Sequence, residues 1–137
     1  MTLPVPVPGE RLPAATVGPF DVDSLDAYAA AAGDHNPVHL DAAFARSVGL
    51  SDRVAHGMLV MGRAGQVLSA WRPDATIERF EGRFTLPVPV GTTLVVDGRV
   101  VSVETHDNRA RVLVRLVGKL PDGKIALMAG VSMGLDT

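Results

Sequence analysis

Residues 56–71, HGMLVMGRAGQVLSAW, decide the fold that this sequence predicts. The stretch has helical periodicity, and one stripe of it is apolar: Met58, Met61, Ala64, Leu68 and Trp71. Its other faces are apolar too: Leu59, Val60 and Val67. A helix that is apolar on most of its circumference is buried on most sides, so the rest of the chain has to surround it. Gly62 and Gly65 lower the helix propensity, and close backbone packing is the reason that the sequence suggests for them.

The chain changes character after this helix, where four segments rich in Val, Leu, Thr and Arg follow: 76–86, 92–104, 109–120 and 124–135. Much of TTLVVDGRVVSVE and RARVLVRLVG alternates apolar with polar residues, as half-buried strands do. The stretches THDN and LPDGK between them are typical of hairpin turns. Helices first and an antiparallel meander after them indicate an α+β fold, in which one sheet wraps around helix 57–71.

Two shorter helices are predicted upstream of the central one. FDVDSLDAYAAAAGD begins with Asp23 or Ser24 as its cap, and LDAAFARSVGL begins with Asp41. Residues 1–13 carry four prolines, which predict an extended segment on the surface.

Composition limits the classes of function. The chain has 137 residues and a net charge of -2, which suits one domain spanning 1–137. It has no cysteine, so thiol nucleophiles and thiolate metal sites are excluded. The absence of a basic patch argues against nucleic acid, and apolar runs far shorter than about 18 residues argue against a membrane span. The N-terminal stretch does not resemble a secretory signal, and we expect a cytoplasmic protein.

The polar stretch GDHNPVHLD, residues 33–41, lies between two alanine-rich segments. Pro37 disfavours a helical Asn36, so Asp34 and His39 do not share a regular helix face and only a tight turn can bring them together. Asn36 can hold that turn with its side chain. A carboxylate and an imidazole on a rigid turn form a possible acid–base pair.

Two other interpretations of this stretch stay open. Asp34 can cap a turn while His39 is a structural histidine. A metal site drawn from His35, His39, Asp34 and Asp41 is disfavoured, because the two histidines straddle the Asn36–Pro37 break and do not share a helix face.

A second informative stretch, VAHGMLVMG at residues 54–62, covers the start of the central helix. Gly57 lies where free N–H groups and the helix dipole stabilise negative charge, and a glycine lets a ligand approach the backbone. These features suit an oxyanion site for a thioester carbonyl. The alternative is that His56 caps the helix and Gly57 only permits packing.

Taken together, YAAAAGDHNPVHLDAAFARSVGLSDRVAHGMLVMG resembles the signature of the MaoC-like (R)-specific enoyl-thioester hydratases and 3-hydroxyacyl dehydratases, which have the hotdog fold. The matching positions are Tyr28, Ala29, Gly33, Asp34, Asn36, Pro37, His39, Ala45, Gly49, Ala55, His56, Gly57 and Met58. RFTLPVPVGTTLVVDGRV resembles the next segment of the family, so the resemblance covers about residues 10–135. One departure is His35, where the family often has an aromatic or aliphatic residue.

The resemblance implies a single hotdog domain that interconverts trans-2-enoyl-thioesters and (R)-3-hydroxyacyl-thioesters. It makes Asp34 and His39 the catalytic pair and the Gly57 N–H the oxyanion donor, without a metal or another cofactor. We expect Asn36, His56 and Met58 to contact the substrate, which is linked to CoA or to acyl carrier protein. The resemblance also implies a homodimer, with a heterodimer as the alternative.

The sequence alone leaves two rival functions open. A hotdog acyl thioesterase commonly uses an acidic residue on or near the central helix, and residues 57–71 contain no Asp or Glu. A non-catalytic acyl-binding subunit, or a subunit of a heterodimeric dehydratase, would keep the motif for structure alone. The intact Asp34 and His39 argue against that second rival.

Overall fold

A computed structural model describes residues 3–137, so the first two residues of the predicted N-terminal segment 1–13 lie outside the described part. The elements in chain order are β1 Ala15–Val17, α1 Val22–Ala32, α2 Pro37–Leu40, α3 Ala42–Ser47, α4 Gly57–Trp71, β2 Thr76–Phe84, β3 Leu94–His106, β4 Arg109–Lys119 and β5 Ile125–Asp136. The predicted central helix 57–71 is therefore confirmed at both ends, and the four long strands lie where alternation predicted them. No helix within residues 3–137 combines the length and apolar character that crossing a membrane requires.

The five strands form one antiparallel sheet in the order β1-β3-β4-β5-β2. The turns between β3, β4 and β5 use left-handed backbone at Asp107 (φ 52°) and Gly123 (φ 87°), as the two predicted hairpins require. The predicted meander is correct only for these three strands, because β2 pairs with β5 at the edge of the sheet. Residues 85–93, which join β2 to β3, are too many for a tight hairpin and carry the chain across the sheet instead.

The core lies between one face of the sheet and α4. In β4 the alternate residues Val112, Val114 and Leu116 are buried, and their neighbours Leu113 and Arg115 are exposed. From α4 the core receives four side chains: Val60, Ala64, Val67 and Leu68. One sheet wrapped around a central helix is the α+β hotdog architecture that the sequence predicted.

The predicted burial of α4 on most sides is wrong for the single chain. Met58, assigned to the buried stripe, is 60% exposed, and a Cβ added at Gly62 would meet nothing within 4 Å among the described residues. The sheet covers only one side of the helix, so the apolar residues on its other side stay partly open to solvent.

The N-terminal segment is extended as predicted, but it also covers a sheet edge. The Gly9 N–H donates to the Val100 carbonyl at 2.8 Å, and the Leu12 N–H donates to the Gly98 carbonyl at 3.0 Å. Leu12 is buried in the core. The segment thus continues the pairing that β1 makes with β3.

The cap of α1 differs from the prediction. Asp21, with extended backbone (ψ 173°), accepts a hydrogen bond from the Ser24 N–H at 2.8 Å, so neither Asp23 nor Ser24 is the cap. An N-cap residue lies outside the helical backbone, and the helix here already begins at Val22. The predicted cap of α3, Asp41, is confirmed by its hydrogen bond from the Phe44 N–H at 3.1 Å.

Candidate active site

The Asp34–His39 turn contains a helix that the sequence did not predict. Pro37 begins α2, a single turn, and Asn36 caps it by accepting a hydrogen bond from the Val38 N–H at 3.2 Å. Proline fits the first helical position because its missing N–H has no partner there anyway. Asp34 Oδ1 in turn accepts from the Asn36 N–H at 3.3 Å, so the predicted role of Asn36 in holding this turn is confirmed.

His39 lies on α2 with a defined tautomer. Its Nδ1 is 2.7 Å from the Val54 carbonyl oxygen, which only accepts hydrogen bonds, so Nδ1 carries the proton. In neutral His39 the Nε2 lone pair is therefore free to accept a proton. The Val54 N–H donates back to the Val38 carbonyl at 3.1 Å, so two hydrogen bonds tie α2 to the strand-like segment before α4.

His56 is the buried centre of the site, with 1% of its surface exposed. Its Nε2–H donates to the Asp34 backbone carbonyl at 3.2 Å. Its ring stacks on the His39 ring, with centroids 3.8 Å apart and planes 25° from parallel, and the Tyr28 ring centroid lies 4.7 Å away. Burial lowers the pKa of His56 from its ordinary value of 6.5, and nearby His39 acts in the same direction, so His56 is held neutral.

Asp34, His39 and His56 converge closely enough that one side-chain atom of each lies within 4.8 Å of the others. This geometry suits proton transfer better than a metal ion. Nitrogen lone pairs lie in the planes of their rings, and two rings stacked 3.8 Å apart cannot aim both lone pairs at one ion. Of the other candidate metal ligands, His35 is exposed and Asp41 caps α3.

Gly57 is the first residue of α4 and presents open backbone donors. The N–H groups of Leu59 and Val60 donate to the His56 carbonyl, whereas those of Gly57 and Met58 donate to nothing within residues 3–137. His56 occupies the N-cap position of α4, but its side chain makes no capping bond, so it caps this helix through its backbone carbonyl alone. The first turn of α4 thus has two N–H groups available for negative charge.

A cavity of about 380 Å³ opens beside Gly57, and its walls are mainly apolar: Ala55, Val60, Phe84, Thr85, Leu86, Pro87 and Val88. Phe84 lies so near Gly57 that an added Cβ would be 2.9 Å from the ring atom Cε2. A glycine is therefore required for this contact, which places an aromatic ring beside the helix terminus.

Of the predicted site residues, Gly57 is the one within residues 3–137 that lines this cavity, whereas Asp34, His39 and His56 meet one another outside its lining. Met58 points to solvent, and Asn36 uses its side-chain oxygen in the cap of α2. The sequence did not identify Phe84 and Val54 as site residues. A phenylalanine side chain and a main-chain carbonyl are not residue types or groups that indicate an active site.

A sequence model described as "MaoC like domain" matches residues 6–119. The chain is 30% identical over 100 residues to the mitochondrial 3-hydroxyacyl-(acyl-carrier-protein) dehydratase of Arabidopsis thaliana, a match covering 73% of this chain and 59% of that protein. It is 34% identical over 100 residues to the fatty acid synthase subunit beta of Gibberella zeae, covering 64% of this chain and 5% of that subunit. The chain thus spans about three fifths or less of these curated relatives.

Among solved structures, the unliganded R-hydratase PhaJ1 of Pseudomonas aeruginosa superimposes with a TM-score of 0.79 at 28% identity. That match covers 97% of this chain and 86% of the other. The fold is therefore shared over nearly the whole of the chain.

Proposed function

This chain belongs to the MaoC-like domain family, and from that premise we propose that it is a hydro-lyase acting on acyl thioesters. The reaction interconverts trans-2-enoyl-thioesters and (R)-3-hydroxyacyl-thioesters, as the names of the dehydratase and R-hydratase relatives suggest. One observation carries the proposal: a carboxylate and an imidazole with a free Nε2 converge beside the open N-terminus of the central helix.

The proposed hydration assigns each group one task. His39 Nε2 takes a proton from water as the hydroxyl bonds to Cβ, and the alkene electrons move toward the thioester oxygen. The N–H of Gly57, with the dipole of α4, stabilises the negative charge on that oxygen. Asp34 in its acid form protonates Cα, and transfer of the proton from His39 back to Asp34 restores both groups. Dehydration runs through the same steps in reverse.

The cavity supports the substrate class. Its largely apolar walls suit an acyl or pantetheine chain, and Gly57 lines it, so a thioester carbonyl in the cavity can reach the helix N-terminus. His56 contributes through the residues that it holds rather than through an open donor, because its Nε2–H is bound to the Asp34 carbonyl. CoA and acyl carrier protein both present such a thioester.

A hydration assay tests the function directly. Purified protein is given trans-2-enoyl-CoA substrates from crotonyl to dodecenoyl, and the same acyl groups on acyl carrier protein, with chiral analysis of the product. We expect the (R)-3-hydroxyacyl-thioester, and the carrier giving the larger kcat/KM identifies the preferred substrate. An (S)-product, no turnover with either carrier, or release of free thiol without hydration contradicts the proposal, and the last of these outcomes favours a thioesterase.

A further inference from the structure

We propose that His56 is the positioning residue of this site, a buried ring that holds both members of the Asp34–His39 pair at once. The inference rests on the proposed function for its kinetic consequences. The contacts themselves, in which the His56 ring orients the His39 ring and binds the Asp34 backbone carbonyl, stand on geometry alone.

The first contact fixes Asp34. The His56 Nε2–H donates to the Asp34 backbone carbonyl at 3.2 Å, while the Asp34 carboxylate accepts from the Asn36 N–H at 3.3 Å. Asp34 itself is exposed, so packing against neighbouring side chains does not hold it in place. Its placement depends on these two hydrogen bonds, and His56 supplies the one that reaches it from the core.

The second contact fixes His39. The hydrogen bond from His39 Nδ1 to the Val54 carbonyl sets the direction of the ring within its own plane. A single hydrogen bond still lets the ring tilt about that direction. The stack on His56, with centroids 3.8 Å apart and 25° between planes, opposes this tilt and so aims Nε2.

The role requires His56 to remain uncharged during turnover, when His39 takes up a proton. The titratable groups that face His56 are His39, Asp34 and Tyr28. A second positive charge at stacking distance from protonated His39 is unfavourable, whereas the face of a neutral aromatic ring attracts a cation. Burial lowers the pKa of His56 and so maintains this neutral state.

Two substitutions separate the two contacts. His56→Phe keeps a ring against His39 but loses the N–H that holds the Asp34 carbonyl, and His56→Gln keeps an amide N–H but loses the ring. We expect each to lower kcat by about 10²-fold, as small misplacements of catalytic groups do, with KM nearly unchanged. The face of a neutral ring stabilises protonated His39, so loss of the ring in His56→Gln should move the acid limb of the kcat/KM profile to lower pH. His56→Phe keeps a ring at this position, and its acid limb should stay in place.

Thermal melting and circular dichroism give the folded fraction of each variant. If kcat per folded molecule stays normal, or if both variants show one identical pH profile, His56 is merely structural and the proposal is overturned.

Imidazole ¹H–¹⁵N NMR on the unmodified chain keeps the proposal testable if the variants do not fold or if the chain lacks hydratase activity. We expect neutral His56 to hold its proton on Nε2 and its pKa to lie below the ordinary value of 6.5, and neutral His39 to hold its proton on Nδ1. An ordinary titration of His56 near 6.5, or a neutral His56 with its proton on Nδ1 in place of Nε2, overturns the proposal whatever the activity.

Discussion

His39 and His56 stack at 3.8 Å, yet their nitrogen atoms meet different surroundings. His39 is half-buried, and its Nδ1–H donates a hydrogen bond to the Val54 carbonyl, which leaves Nε2 able to accept a proton. His56 is buried, its Nε2 is occupied by Asp34, and its Nδ1 has no hydrogen-bond partner within residues 3–137. Two chemically identical side chains are thereby suited to different roles, the first to proton transfer and the second to positioning.

Removing either proton-transfer group should abolish most of the turnover. We expect Asp34→Asn and His39→Gln each to lower kcat by about 10²–10⁴-fold, the usual contribution of a positioned acid or base. His35→Gln is the matched control, because His35 is exposed in the same turn and makes none of the side-chain hydrogen bonds found among residues 3–137. The double variant should lose little more than either single one if the pair acts as a unit. Near-normal turnover of the folded protein would remove Asp34 and His39 from the mechanism.

The lowered pKa of His56 predicts how stability depends on pH. Between its folded pKa and the ordinary value of 6.5, the unfolded chain binds a proton at this position and the folded chain does not. The contribution of His56 to the free energy of unfolding is therefore fully present above pH 6.5, and it is lost as the pH falls toward and through the pKa of His56 in the folded chain. Chemical denaturation from pH 8 to pH 5 should show this decline, and His56→Phe should show a shallower one. An equal slope in both proteins would mean that other groups cause the decline.

A methyl group at Gly57 should disturb the site without unfolding the protein. Gly57→Ala places a Cβ 2.9 Å from the Phe84 ring, which is 43% exposed and can swing outward at a cost below the 1–3 kcal/mol typical of an overpacked core. We expect kcat/KM to fall by up to about 10²-fold as the cavity wall moves away from the helix terminus.

Phe84→Ala removes the atom that the new methyl group would meet. The double variant should therefore retain more activity than the two single losses predict, and a double-mutant cycle measures this coupling. Strictly additive losses would show that the contact between residues 57 and 84 does not affect catalysis.

At the scale of elements, α2 is the weakest part of the site and carries His39. It has only four residues, and its N-cap is the Asn36 side chain. An isolated helical turn has no cooperative stability of its own, so the cap and the two hydrogen bonds to Val54 must hold it.

Loss of this cap should affect catalysis more than stability. Asn36→Ala should cost about 1 kcal/mol, as loss of an N-cap does, and should also lower kcat because His39 moves. Asp21→Ala removes the equivalent cap of α1, bonded to the Ser24 N–H at 2.8 Å, and should cost a similar free energy of unfolding with unchanged kcat. Urea unfolding and the hydration assay on both variants check this, and equal effects on kcat would contradict a specific role for α2.

At the scale of the whole molecule, the sheet ends in an unpaired edge. β2 is a nine-residue strand that pairs with β5 on one side only within the described chain. A long exposed edge readily pairs with another strand, and one side of α4 is also open.

We propose a homodimer in which a second copy covers these surfaces. Light scattering after size exclusion should give about 29 kDa for two chains of 14.4 kDa. A monomer at micromolar concentration would contradict the homodimer, and a chain that becomes stable only with a different subunit would indicate a heterodimer.

The sequence by itself determined the central helix, the four long strands and the chemical groups, but not α2 or β1. Helical periodicity placed α4, alternation placed the long strands, and the spaced motif predicted Asp34, His39 and Gly57 as site residues, because all these signals are local. Only the tertiary structure decided which strands pair, how α4 is buried and which groups meet. The pairing of β2 with β5, the stack of His39 on His56 and the contact of Phe84 with Gly57 join residues far apart in the chain. Such contacts arise from packing the whole sheet against one helix, and no local pattern encodes them.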